Sequence, residues 1–368
     1  MIKVCYVISS LTKGGAERQL YELVKGINRK SFEPMVICLT QGGYWSKEIQ
    51  KLNIQVIELQ RRKKREFTRL FKLIRLLKVT KPDIVHTYLF SANSYGRVAA
   101  IIARVSIIIA SERSAVEKGM DTNRLRLYID KLLSKFTDAI ICNSHKASYN
   151  LIENYSYNSN KVFTICNGIS APPFVDDVES KVNKKSKTKI IGIIGSLYYH
   201  KNHKLFLDMV RIILDTYDNK NIKFLIIGAG PLKDELERYS KELDIAEYVQ
   251  FKGMRHDTIE LLHSMDIFIL TSLYEGMSNA IMEAMASKLP CVVTGVGGNS
   301  ELVEDGKTGY VLPQNDSLLL SSKVIDLIKN EDLATKMGLA GYDKINKEFS
   351  ITKMVKKTEE VYLKLLTN

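Results

Sequence analysis

The sequence predicts an α/β protein of two doubly wound domains, each a buried parallel sheet with helices on both faces. Short apolar runs alternate with stretches of helical period along most of the chain, the pattern of βαβ units around a sheet covered on both sides. The alternation breaks once, in the polar stretch SAPPFVDDVESKVNKKSKTK that begins at Ser170. It then restarts, which marks a linker between two domains. A length of 368 residues fits two domains of about 100–200 residues each.

In the first half the expected strands are KVCYVIS, EPMVICL, IQVIEL, DIVHTYL, VSIIIAS and DAIICNS. Helices are expected from Ala16, near Trp45, over residues 66–78, over 93–104 and over 124–135, and the pattern ends after VFTICNG. In the second half IIGIIG, IKFLIIG, YVQFKG, DIFILTS, PCVVTG and TGYVLP are strands, with helices from Asn202, Leu232 and Asn279 and more helices to the end. The predicted boundaries are 1–170 for the first domain, 171–186 for the linker and 187–348 for the second domain. A last amphipathic helix over 349–368 is expected to pack back on the first domain. Ligands of such sheets bind beyond the carboxyl ends of the strands.

Composition narrows the class. With 45% hydrophobic and 26% charged residues the chain reads as an ordinary soluble globular protein. Its five cysteines are widely spread and include no C-x-x-C pair, so neither a disulfide framework nor a zinc site is expected, and buried thiols in a reducing cytoplasm fit. Residues 1–8 read as a first strand, not a signal peptide. The longest apolar run, residues 98–110, is interrupted by Arg104 and falls short of the roughly twenty residues a membrane span needs.

A net charge of +13 points to an anionic partner. It concentrates in RRKKR, Arg61 to Arg65, followed by EFTRLFKLIRLLK with Phe67, Leu70, Phe71, Ile74 and Leu77 spaced for one helical face. Such a helix suits an anionic membrane surface, and it suits equally a core-packing helix with a solvated basic face. Nucleic acid is not expected as a partner, because the basic run lacks interleaved aromatic platforms.

Three motifs carry chemistry. Gly14-Gly15-Ala16-Glu17-Arg18 follows the first strand and opens a helix; paired glycines admit a ligand close to the backbone, and the helix start attracts phosphate. A plain tight turn fits that motif as well. Gly195-Ser196-Leu197-Tyr198-Tyr199-His200-Lys201-Asn202 repeats the arrangement in the second half. Lys201 is a poor neighbour for a helix N-terminus unless an anion lies between them, and a diphosphate supplies one. Solvent exposure is the alternative account of that lysine. The third motif, TSLYEGMSNAIMEAMASKLP, places Glu275 before a helix start and Glu283 inside the helix. The amides of Gly276, Met277, Ser278 and Asn279 can receive phosphate oxygens while the carboxylates take hydroxyls, although acidic pairs at helix starts commonly serve as caps.

With these motifs in this order, the chain resembles the family 4 nucleotide-sugar glycosyltransferases of the GT-B fold. The resemblance runs from Lys3 to the last helix through GGAER, DIVHTYLFSANSYGR, ICNGI, GSLYYHKN, IIGAGPLKDEL, VQFKG, the two glutamates and VGGNSELVEDGKTGYVLP. It implies two Rossmann-like domains facing across a cleft, the first on the acceptor side and the second binding the nucleotide-sugar, and a retaining transfer of a sugar from a nucleotide-diphosphate donor. Glu283 would bind the donor ribose, Glu275 the transferred sugar, and Lys201, the amides of 276–279 and the Gly14-Gly15 turn the diphosphate. Ser196 belongs to the same donor turn. His86 would face the reaction centre and the acceptor, so the expected catalytic set is Glu275, His86 and Lys201.

Two departures stand out. Ser196 occupies the place of a usual arginine, and Tyr88 that of a usual second histidine. No cofactor or metal is expected: the only Asp-Asp pair, Asp176-Asp177, lies in the linker, and there is no strand-end D-x-D. The expected partners are a nucleotide-sugar donor with UDP as first choice, a lipid-linked saccharide acceptor of bacterial surface-polysaccharide synthesis, and the inner face of the plasma membrane. The competing readings are a GT-B-like sugar-nucleotide epimerase and a non-catalytic sugar-nucleotide-binding subunit.

Overall fold

The computed structural model describes residues 1–12, 14–59, 68–113, 124–170 and 188–367. The expected linker 171–186, the basic run 61–65 and Phe67 of the expected helix face lie outside the described residues. The chain divides into two units, one formed by Met1–Gly168 with Ile351–Asn368 and the other by Ile169–Ser350.

The first unit holds a parallel sheet of seven strands: β1 (Ile2–Ile8), β2 (Phe32–Cys38), β3 (Gln55–Glu58), β4 (Ile84–Tyr88), β5 (Ile107–Glu112), β6 (Ala139–Cys142) and β7 (Val162–Thr164), in the order β3-β2-β1-β4-β5-β6-β7. Both faces are covered. Val4, Tyr6 and Ile8 of β1 belong to one apolar cluster and Cys5 and Val7 to another, which is why these strands read as unbroken apolar runs. The order reverses between β1 and β4, so the connections leaving their carboxyl ends run in opposite directions and open the crevice where such sheets bind ligands.

The helices of this unit are α1 (Gly15–Gly26), α2 (Tyr44–Lys51), α3 (Thr68–Thr80), α4 (Phe90–Ala103), α5 (Arg124–Ser134), α6 (His145–Tyr149) and, from the far end of the chain, α14 (Ile351–Thr367). Met354, Val355, Val361 and Tyr362 of α14 join the cluster around Tyr6 and Phe32. Tyr362 meets Phe32 edge-on at 5.8 Å, and Glu359 accepts from the backbone N–H of Asn28 at 2.7 Å.

The apolar face of α3 differs from the expected one. Leu73 and Leu77 are buried while Phe71 is 69% exposed, and Leu70 and Ile74 pack beside them. The helix is turned to place positions 70, 73, 74 and 77 against α4, a stripe with the same period but another phase. Arg69 closes one edge by donating to the Leu39 carbonyl at 3.2 Å.

The second unit carries a parallel six-stranded sheet in the order β10-β9-β8-β11-β12-β13. Its strands are β8 (Lys189–Ile194), β9 (Ile222–Ile227), β10 (Val249–Gly253), β11 (Ile267–Leu270), β12 (Cys291–Thr294) and β13 (Gly309–Leu312). The helices are α7 (His203–Thr216), α8 (Lys233–Glu242), α9 (Thr258–Ser264), α10 (Asn279–Ala286), α11 (Asn299–Leu302), α12 (Ser317–Lys329) and α13 (Glu331–Glu348). Here β8 is the switch strand, with β9 and β11 on either side. Cys5, Cys38, Cys142 and Cys291 are buried and Cys166 half-buried; desolvation pushes the Cys5 thiol up to about 12.

Gly96 shows how closely α4 lies on the sheet. A Cβ there would sit 2.5 Å from Thr87 Cγ2 and 3.4 Å from two Val7 carbons, and Thr87 cannot turn away because its hydroxyl donates to Asn93 Oδ1 at 2.7 Å. Alanine is favoured over glycine in a helix by about 1 kcal/mol, but overpacking costs about 1–3 kcal/mol. Gly96→Ala is therefore expected to lower the urea midpoint of the protein; an unchanged or higher midpoint would show that α4 can lift from β4.

Candidate functional site

The donor-side residues lie beyond the carboxyl ends of β8, β11 and β12. Gly195 N–H donates to the Ile227 carbonyl at 2.9 Å and Leu197 N–H to the Ala229 carbonyl at 3.0 Å, so the turn after β8 is pinned to the IIGAG run. That contact needs glycine. Gly228 has φ +150, and a Cβ on it would lie 1.9 Å from the Gly195 carbonyl oxygen.

The turn then passes through one helical 3₁₀ turn, Tyr199–Lys201, and reverses at Asn202 with φ 48 into α7. It is fastened to the loop after β11. The Thr271 hydroxyl bonds to the carbonyls of Lys201 at 3.0 Å and Asn202 at 2.9 Å, Leu273 N–H donates to the His200 carbonyl at 2.8 Å, and the Tyr274 ring stacks on His200 at 5.1 Å.

This fastening brings Lys201 and Glu275 into an ion pair, their side chains 15% and 11% exposed. The Ser272 hydroxyl donates to the same Glu275 oxygen at 2.7 Å. The expected conflict between Lys201 and the α7 dipole is thus settled by a carboxylate of the chain itself. Beside it, Gly297 (φ +52) leaves only 1.9 Å between a built Cβ and the Glu275 carbonyl oxygen, and Gly298 N–H donates to the Gly276 carbonyl at 2.7 Å. The VGG turn after β12 therefore fixes the backbone on which Glu275 stands.

Helix α10 begins next. Ser278 is its cap, its hydroxyl accepting from Ile281 N–H at 3.4 Å. Met277 and Ser278 are buried, so these two present backbone more than side chain, while Asn279 and Glu283 are half-buried and Ser196 is exposed. Lys201, Glu275, the 276–279 amides and Glu283 thus all belong to adjoining turns of one unit.

Gly14, Gly15 and His86 belong to the other unit. Gly14 precedes α1 in extended conformation, and a Cβ on it would lie 2.1 Å from Glu17 Oε2. The Glu17 carboxylate folds back over the helix start, accepting from Ser10 Oγ at 3.1 Å. Burial pushes its pKa up, while bonds from its own amide and Ser10 pull it down. Gln19 clasps Gly168, donating to its carbonyl and accepting from its N–H, each at 2.9 Å.

His86 requires a correction. It was expected to face the reaction centre, yet it is 1% exposed, with Nδ1 bonded to the Tyr362 hydroxyl at 2.6 Å and Nε2 to Ser111 Oγ at 2.8 Å. Tyr88, 4.6 Å between ring centroids, and Tyr6 at 5.7 Å complete its surroundings. Burial first, and Arg113 second, push its pKa well down. With both nitrogens used internally it is a core histidine tying β4 to β5 and α14.

Sequence reasoning missed Thr271, Ser272, Gly297, Glu17 and Gln19. It also missed His203, the first residue of α7, 2% exposed with neither ring nitrogen hydrogen-bonded. Desolvation, then Lys201 and His200, hold its pKa down at about 4.

Comparison with known proteins now bears on this geometry. Residues 13–171 match Glycosyltransferase Family 4 and residues 175–344 match Glycosyl transferases group 1. The chain is a family 4 glycosyltransferase. Over its whole length it is 25% identical to the UDP-Gal:alpha-D-GlcNAc-diphosphoundecaprenol alpha-1,3-galactosyltransferase of Escherichia coli, covering 98% of that protein. It is also 25% identical, covering 98%, to a Campylobacter jejuni alpha-1,4-N-acetyl-D-galactosaminyltransferase whose named acceptor is a GalNAc-bearing diNAcBac-PP-undecaprenol. Among solved structures, Anabaena HepE in complex with UDP and glucose superposes with a TM-score of 0.86 at 19% identity, over 99% of this chain and 100% of that one. The two Rossmann-like sheets of this glycosyltransferase are the GT-B fold.

The buried imidazole of this glycosyltransferase has a consequence for stability. The folded-state pKa of His203, about 4, lies below the ordinary value of about 6.5. Between those values the unfolded chain binds a proton that the folded chain refuses, so the contribution is lost as pH falls through this window. Urea unfolding from pH 7 to 5 is expected to give a stability slope that flattens in His203→Phe, by up to about 1.4 kcal/mol per pH unit. Parallel slopes would show that the ring accepts a proton without cost.

Proposed function

We propose that this glycosyltransferase moves a hexose or N-acetylhexosamine from a UDP-sugar to a lipid-linked oligosaccharide, with retention at the anomeric carbon, in surface-polysaccharide assembly such as O-antigen, capsule or lipopolysaccharide. The observation that carries it is Lys201 held at the start of α7 beside Glu275 and the α10 N-terminus. The names of the Escherichia coli and Campylobacter relatives, with their undecaprenol-linked acceptors, support the acceptor class, and the UDP in the Anabaena structure supports the nucleotide.

Breaking the bond from anomeric carbon to phosphate oxygen develops positive charge on the sugar and negative charge on the diphosphate. Fixed donors aimed at the diphosphate stabilise the transition state where that charge appears. Lys201 and the 276–279 amides are those donors. As the diphosphate takes the Lys201 ammonium, the Glu275 carboxylate is released to the hydroxyls of the transferred sugar, and Glu283 serves the ribose. The departing phosphate oxygen accepts the proton of the attacking hydroxyl on the same face, which is the route to retention. In this reading the ammonium and amides supply the positive charge at the leaving group, and no metal is required.

The same reading places the protein on the inner face of the plasma membrane. No described helix is long and apolar enough to cross a membrane. On α5, Tyr128, Ile129 and Leu132 are 69%, 37% and 47% exposed and share about 100° of the helix circumference, and Phe136 in the turn after it is 57% exposed. Lys131 and Lys135 flank them, and Leu133 and Asp130 point inward, a distribution suited to an anionic bilayer surface. Leu132→Asp with Phe136→Asp is expected to abolish co-sedimentation with vesicles containing phosphatidylglycerol, as is neutralising Arg61 to Arg65; retained binding in both would remove the membrane from the proposal.

The function itself is tested by nucleotide release from UDP-, GDP- and ADP-sugars with and without a bacterial lipid extract. Acceptor-dependent release of UDP is expected, with kcat lowered about 10²–10³-fold in Lys201→Ala and in Glu275→Ala, the scale of losing one transition-state donor. Tight nucleotide binding without turnover would instead make the chain a binding subunit.

A further inference from the structure

We infer that a cavity in the first unit, distinct from the donor turns, is the subsite that grips a saccharide ring of the acceptor; this rests on the transferase reading above. The cavity measures about 220 Å³ and opens among Phe90, Glu112, Tyr128, Asn154, Tyr155 and Tyr157. Phe90 directly follows β4 and Glu112 ends β5, so it lies at the carboxyl edge of the sheet, where such folds take ligands.

Its floor is rigid. Arg97, 1% exposed, donates from Nε to the Asn93 carbonyl at 2.6 Å and pairs with Asp130, whose other oxygen accepts from the Tyr157 hydroxyl at 2.5 Å. A buried guanidinium demands such a partner, since an uncompensated one costs several kcal/mol. The chain of bonds therefore fixes α5 and Tyr157 relative to α4, and Asp130 is committed to structure.

The rim is irregular. Residues 150–154 form a single π-helical turn, a geometry frequent at functional sites. Two non-glycine residues beside the cavity take positive φ, Leu89 at 70 and Ser156 at 54, each a strained conformation that persists where surroundings enforce it.

The lining chemistry is that of a sugar site. Aromatic faces carry negative charge density and attract the weakly positive C–H groups on the apolar side of a pyranose, while a carboxylate, an amide and the Lys131 ammonium take its hydroxyls. A nucleotide diphosphate would meet the carboxylates of Glu112 and Asp130 as well as the Lys131 ammonium, so the donor is a poorer occupant than a neutral sugar ring.

The test has two arms. In the first, saturation-transfer NMR is run with free glucose, galactose, N-acetylglucosamine and N-acetylgalactosamine at millimolar concentration. The wild type is expected to saturate at least one sugar, with the effect lost in Tyr155→Ala, regained in Tyr155→Phe, and unaffected in Glu275→Ala. No saturated sugar, or saturation surviving Tyr155→Ala, overturns the subsite whether or not the protein is a transferase. In the second, transfer to the lipid extract is expected to show an acceptor KM raised at least tenfold in Tyr155→Ala and in Glu112→Gln, with donor KM and donor hydrolysis unchanged. An acceptor KM within twofold of wild type overturns the assignment, whereas a wild type that binds sugar but transfers none leaves the subsite standing and sinks the transferase reading.

Discussion

A parallel strand must hand its chain to a crossover before the next parallel strand can pair, and here the crossovers are helices. Each of those helices begins at the carboxyl edge of the sheet with unpaired amides and a partial positive charge. In this chain the edge carries all the chemistry discussed above. The first unit answers with Glu17, folded back over the start of α1 beneath Gly14. The second answers with Glu275, which reaches Lys201 at the start of α7. Two turns that look from the sequence like phosphate sites are both balanced by a carboxylate supplied locally.

That balance changes how the donor turns work. In the proposed function, a diphosphate arriving at Lys201 would compete with a carboxylate already hydrogen-bonded to Ser272, so the net gain would be the difference between two anions on one cation. Exchange of this kind costs affinity, yet it leaves no buried ammonium uncompensated, which would cost more. It would also link events in that proposal: the group displaced from the lysine would be the one freed for sugar hydroxyls. The glycines follow from the same need, since Gly228 and Gly297 let two loops press against the backbone of Gly195 and Glu275.

Much of this was legible in the amino-acid sequence, because strand and helix periods differ and glycine, proline and charge punctuate them. The alternation named the strands, and the motifs named Lys201, Glu275 and the α10 start. What escaped has physical causes. The period of α3 was readable but its phase depends on α4, a partner far along the chain, so Phe71 was placed inside when it lies outside. His86 was expected at the reaction centre on the strength of the family resemblance. Its partners Ser111 and Tyr362 stand 25 and 276 residues away, and nothing local announces them. The stretch between β6 and β7 has a π turn and no regular period, so the cavity it borders left no trace.

His203 bears on the missing arginine at Ser196. A buried imidazole with no hydrogen bond costs about 1–3 kcal/mol, and this one sits at the first position of α7, close enough to Lys201 for that charge to depress its pKa. Protonated, it would add a second cation at the helix start and strain the balance that Glu275 alone provides. Held neutral, it packs as an apolar wall. The leaving-group side in the proposed function would thereby have the Lys201 ammonium and the α10 amides, and Ser196, exposed on the same turn, would add only a hydroxyl. In the proposed function, stabilisation of a departing diphosphate would therefore lean more on the geometry of the α10 amides than a site with two cations would, and the closely pinned turns suit that demand.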